Sequence, residues 1–187
     1  MVQPRPDRLL ALRDLSRRLV ETRSLETLIW NLARSLGVDF AFPDCVIYLR
    51  EGGELVQRAA HGLKNPADRS ILEPIRIPLG RGITGTCAAS GRSILVSDVR
   101  QDPRYIPDVG GGLCELAVPI VYGDQVLGVI DTEAEEVGYF GPDEQLTLEI
   151  IANMISPRIV TSLEEERRKI AEAQLEELRG RFKLPPA

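Results

Sequence analysis

Residues 78–108 read PLGRGITGTCAASGRSILVSDVRQDPRYIPD, and this stretch decides the fold. It packs four glycines, a cysteine and two Asp-containing turns into 31 positions. Gly80 and Gly82 flank Arg81. Ile83–Ser90 then reads as a short helix that Gly91 ends. Ser93–Val96 reads as a strand. Residues 98–112 read as a long loop with Asp102-Pro103, Pro107-Asp108 and Gly110-Gly111-Gly112. The start of the short helix could face a ligand anion with its N–H groups and positive dipole end. The same glycines also suit a tight entry turn, so both readings stand at this point. What the segment covers depends on its surroundings.

Working outward, strand patterns lie on both sides. Asp44–Leu49 and Leu55–Ala60 form a hairpin around Glu51-Gly52-Gly53-Glu54. Ile75–Pro78 is a short strand closed by Pro78. Leu113–Val121 and Gln125–Thr132 form a second hairpin, turned by Tyr122-Gly123-Asp124. Helical spacing appears at the ends. Leu9, Leu12, Leu15, Leu19 and Val20 mark a helix over 7–23, with Pro6 before the N-cap Asp7. Leu25, Leu28, Ile29, Leu32 and Leu36 mark a second, capped by Ser24 and stopped by Gly37. Thr22-Arg23-Ser24 is either a junction or part of one longer helix. Pro142, Asp143 and Glu144 open a last helix with Leu146, Ile150, Met154 and Ile155 as its stripe. Pro157 should kink it or end its first segment. Residues 160–182 carry a weak coiled-coil seam, and Pro185-Pro186 ends it. The pattern predicts an α+β fold: an antiparallel sheet with helices on one face and loops on the other.

Composition narrows the function classes. Of 187 residues, 27% are charged and the net charge is −5, which argues against nucleic acid or an anionic membrane as partner. No apolar run approaches the length of a membrane span, and the start is too charged for a signal peptide. Cys45, Cys87 and Cys114 are odd in number and far apart, as expected of free thiols in a reducing, cytoplasmic setting. A single histidine, His61, leaves little room for a zinc site of His and Cys ligands.

With these residues in this order, the chain resembles the GAF domain, a small-molecule sensor module. The likeness is carried by Pro78–Thr86 followed by Gly91–Val99, by Asp102-Pro103-Arg104-Tyr105, and by Glu115–Ile120 with Gly128-Val129-Ile130-Asp131. Phe140–Glu144 matches the usual start of the closing helix. The resemblance spans roughly residues 20–160. It implies a GAF-like (profilin-like) six-stranded antiparallel sheet, helices behind it, and a pocket roofed by 78–112. The organisation expected is an N-terminal helix over 1–23 for dimerisation or linkage, a GAF domain over 24–160, and a signalling helix and tail over 161–187. It also implies a homodimer through long terminal helices and an output kinase, cyclase or transcription regulator as partner. It names no particular ligand or cofactor.

The candidate pocket residues are His61, Thr84, Thr86, Cys87, Asp98, Tyr105, Cys114, Glu115 and Asp131, with Asp108 as a further polar group. Glu115 opens an apolar strand and could hold a ligand amine or a backbone turn. Thr84 and Thr86 offer hydroxyls to the pocket or to the helix backbone. No Ser/His/Asp or paired-carboxylate constellation can be defended, so no catalytic residue and no metal ligand is assigned. A covalent bilin lacks its histidine neighbour, since Ala88 follows Cys87 and Glu115 follows Cys114. A haem would have only His61 as histidine ligand. Phe140-Gly-Pro-Asp143-Glu144 is one residue short of the cyclic-nucleotide motif.

The function expected from this is a non-enzymatic sensory domain that binds a small molecule and signals through its terminal helices. One alternative is a redox enzyme like the free methionine sulfoxide reductases of the GAF family, using Cys87 and Cys114. The chain departs from that pattern. Thr84 stands where the family has a cysteine in its G-x-C-G-T turn. Tyr105-Ile106-Pro107-Asp108 stands where the family has its essential cysteine, and Cys114 takes the place of the serine that follows. A further alternative is a dimerisation module with an empty pocket.

Overall fold

The computed structural model describes residues 7–22, 24–65, 71, 73–107 and 111–182. Pro6, Asp108, Gly110 and Pro185-Pro186, which the sequence singled out, lie outside the described residues. The helices are α1 (Arg8–Glu21), α2 (Leu25–Val38), α3 (Gly82–Ser90) and α4 (Pro142–Phe182). The strands are β1 (Asp44–Glu51), β2 (Glu54–His61), β3 (Arg76–Pro78), β4 (Ile94–Val96), β5 (Cys114–Tyr122) and β6 (Gln125–Ala134). They form one six-stranded sheet in the order β3-β2-β1-β6-β5-β4, with every pairing antiparallel.

Strand alternation sorts the core into two layers. Cys45, Ile47, Leu116, Val118, Ile120 and Ile130 pack against Leu15, Leu32, Leu36, Leu148, Ile151 and Ile155 of α1, α2 and α4. Their neighbours Val46, Tyr48, Ala117 and Val129 turn the other way, against Ile83, Cys87 and Ala88 of α3 and Val99 of the roof segment. The glycine-punctuated stretch therefore lies over the sheet face opposite the long helices.

Local chemistry sets the boundaries. Asp7 accepts hydrogen bonds from the N–H groups of Leu9 and Leu10, and Ser24 accepts from Thr27. The chain is extended at Thr22 and Ser24, so α1 and α2 are separate helices. Two expectations are corrected. Gly37 does not stop α2, which runs on to Val38. A Cβ at Gly37 would lie 1.9 Å from the His61 ring, so glycine is there to let β2 approach. Pro157 does not divide α4, which is continuous over 41 residues. Proline cannot donate to the Asn153 carbonyl. The Ser156 hydroxyl donates to that oxygen instead, at 3.3 Å. The last turns of α4 leave Ile170, Leu175 and Leu178 exposed. Among the described residues, no helix is long and apolar enough to cross a membrane.

Candidate functional site

Between α3 and the sheet lies a cavity of about 280 Å³. Its apolar walls are Tyr48, Ile75, Ile77, Pro78, Ile83 and Ile106. Arg76 and Arg81 also line it, as do Gly82 and Thr84 at the start of α3. Gly82 has φ +69°, a left-handed conformation that lets the chain turn into α3 beneath Ile106. The helix entry thus serves the cavity as well as the turn.

The floor is acidic. Glu115 of β5 and Asp131 and Glu133 of β6 all line the cavity and are almost fully buried. One carboxylate oxygen from each lies within 4.8 Å of the others, close enough to share a cationic group. The register explains the crowding: Glu115 pairs directly across from Glu133, and Glu133 across from Asp44 of β1. Like charges facing each other on neighbouring strands destabilise a sheet, so such a row points to a ligand or an internal cation. Lys64 supplies part of the compensation, with its ammonium 3.0 Å from Glu133 and 3.7 Å from Asp44. Glu115 takes another route. Burial, then the negative charges of Asp131 and Glu133, push its carboxyl up to about 10, only partly offset by Lys64 and by the Thr84 hydroxyl that donates to it at 3.2 Å. The direction of this shift favours the protonated form of Glu115.

Of the sequence candidates, Thr84, Glu115 and Asp131 line this cavity. The others do not. His61 pairs with Cys45 on the helix side of the sheet and packs at Gly37. The Thr86 hydroxyl donates back to the Gly82 carbonyl. Asp98 caps the turn Val99–Gln101, where a hydrogen bond from Arg100 holds its carboxyl well below the usual range. The Tyr105 hydroxyl donates to the Gly112 carbonyl. Cys87 sits one turn beyond Thr84 in the apolar layer behind the cavity wall, and burial followed by the Asp131 and Glu115 charges pushes its thiol up. Cys114 belongs to the opposite, helix-side layer. Cys87 and Cys114 are thus separated by the sheet, and the pairing of these two thiols is corrected. Sequence reasoning missed Glu133 and Lys64. Asp131-Thr132-Glu133 on a strand puts both acids on one face, which was a usable signal. Lys64, from outside the strands, gave none.

A family model for the GAF domain matches residues 22–159. A free methionine-R-sulfoxide reductase of Escherichia coli is 31% identical over 81 residues, covering 43% of this chain and 49% of that one. The enzyme of the same name from Saccharomyces cerevisiae is 28% identical over 142 residues, covering 72% and 71%. The chain spans less than half the length of two of the bacterial relatives it matches. Among solved structures, a free methionine-R-sulfoxide reductase from Neisseria meningitidis in complex with its substrate superposes with a TM-score of 0.75 at 24% identity, over 88% of this chain and 97% of that one. That likeness concerns the fold. These relatives overturn the expectation of a non-enzymatic signalling module, because enzymes share this architecture and part of this sequence.

Proposed function

Because the chain belongs to the GAF-domain family, and its relatives include enzymes acting on a free oxidised amino acid, we propose that it is a reductase of free methionine-R-sulfoxide type. The observation that supports this best is the buried acidic floor of a cavity at the small end of the range for ligand sites. An amino-acid zwitterion matches it in charge. The ammonium pairs with Asp131, and the carboxylate lies toward Arg81 and the first turn of α3. The Glu115 carboxylic acid donates a hydrogen bond to the sulfoxide oxygen, and Tyr48 with the isoleucines packs the apolar chain.

The chemistry moves one oxygen atom. The Cys87 thiol takes the oxygen from the sulfoxide, giving a sulfide and a sulfenic acid. An external dithiol then returns the sulfenic acid to thiol, releasing water and a disulfide. Cys87 is assigned because Cys45 and Cys114 lie in the helix-side layer. Its burial means that α3 must shift for it to reach the ligand.

The test incubates the protein with L-methionine-R-sulfoxide and dithiothreitol and follows methionine by chromatography. Methionine formation that is lost in Cys87→Ser is expected. No methionine, or turnover unchanged in Cys87→Ser, overturns the reading. The exposed Ile170, Leu175 and Leu178 support a homodimer along α4. Truncation after Ser162 should convert a dimer to a monomer in sedimentation, and a parent protein that is already monomeric overturns this.

A further inference from the structure

Asp44, Glu133 and Glu115 form a cross-strand row over β1, β6 and β5. Lys64 compensates one end of it. Its side chain is 4% exposed and its ammonium bridges Glu133 and Asp44. The backbone fixes it there: the Lys64 N–H donates to Asp44 Oδ1 at 3.5 Å, and its carbonyl accepts from Gln57 Nε2 at 3.4 Å. Glutamine or arginine at this position retains the N–H and carbonyl that make those two bonds, so these substitutions address the charge.

We propose that Lys64 is a positioning residue that divides the acids of the cavity: as the built-in counter-ion of Glu133 and Asp44, it assigns a ligand's ammonium to Asp131 and a ligand's oxygen to Glu115. The inference rests on the reading of the cavity as an amino-acid site. Without the lysine, Glu133 takes up a proton of its own in the free protein and exchanges it for the ligand's ammonium, which is drawn away from Asp131. Other charges reach the row from elsewhere and are unchanged by a substitution at 64. Arg104 in the roof acts on Glu115, Arg76 and Arg81 stand in the cavity wall, and the Cys87 thiol behind it, pushed up by burial, adds no charge.

The experiment compares the parent with Lys64→Gln, Lys64→Arg and the double variant Lys64→Gln/Glu133→Gln. Binding of L-methionine-R-sulfoxide is measured by calorimetry from pH 6 to 8, in two buffers of different ionisation enthalpy. Lys64→Gln should release about one more proton on binding than the parent, so its affinity should climb up to about tenfold more steeply per pH unit. Lys64→Arg should restore the parent behaviour. The double variant, which lacks both the cation and the acid that would take the extra proton, should return to the parent proton count even where Lys64→Gln folds poorly. An unchanged proton count in Lys64→Gln overturns the inference, whatever happens to affinity. Failure of the parent to bind the probe instead removes the amino-acid reading. Urea unfolding of the ligand-free proteins then decides. Lys64→Gln should lose up to about tenfold more in folding constant per pH unit than the parent as pH rises, and parallel curves overturn it.

Discussion

Replacing Glu115 with glutamine isolates the contribution of one buried acid to folding. Glu115 is 4% exposed, faces Glu133 across the strand pair and shares the cavity floor with Asp131. Its carboxyl rises from an ordinary 4.5 to about 10, burial contributing most. Between these values the folded chain holds the proton and the unfolded chain does not. Stability must therefore fall as pH rises through this window, by at most about 1.4 kcal/mol per pH unit. Below it both states bind the proton and the contribution is constant. Glutamine keeps the oxygen that accepts from Thr84 and does not titrate. The stability of Glu115→Gln relative to the parent should increase with pH, by up to about 3 kcal/mol from pH 5.5 to 7.5. Urea unfolding followed by circular dichroism at intervals of half a pH unit measures this. Other groups contribute equally to both proteins and cancel in the difference. Curves that stay parallel across the range would show that Glu115 is ionised in the fold, and the account of the acidic floor would fail.

Three further outcomes follow from the geometry. Cys114→Ala should retain methionine formation and lose about 1 kcal/mol of stability, because it trims the helix-side layer; a loss of turnover in a folded Cys114→Ala protein would contradict the separation of the thiols. Gly128→Ala places a Cβ 2.1 Å from the Tyr48 carbonyl oxygen at the β1–β6 contact, so it should cost more than about 3 kcal/mol in urea unfolding. Ser156→Ala should cost about 1 kcal/mol by removing the hydroxyl that serves the Asn153 carbonyl, read as a lowered melting temperature.

The sheet was legible because each strand carries an alternating or β-branched run between clear turn residues. Glu51-Gly52-Gly53-Glu54 and Tyr122-Gly123-Asp124 fall at the two hairpin turns. Helix ends were less legible. Gly37 reads as a stop by itself, but its partner is a histidine 24 positions later, which only the packed structure brings near. Pro157 reads as a break, and a neighbouring serine supplies the missing donor. In the site, Glu115 and Asp131 were visible as acids in apolar strands. His61 was misplaced because face assignment depends on register: it lies opposite Cys45, and β1 and β2 shift register between Ile47 and Tyr48. Lys64 was invisible because a lysine after a strand usually faces water.

The placement of the three cysteines on the two sides of the sheet makes them separate reporters of how the molecule opens. A thiol reagent reaches Cys87 when the α3 cover lifts, and reaches Cys45 or Cys114 only when the long helices peel from the strands. Timed alkylation read by peptide mass spectrometry can therefore rank the two motions in a single unmodified protein. If ligand entry needs only the cover to move, added ligand should slow labelling at Cys87 and leave the other two sites at their original rates.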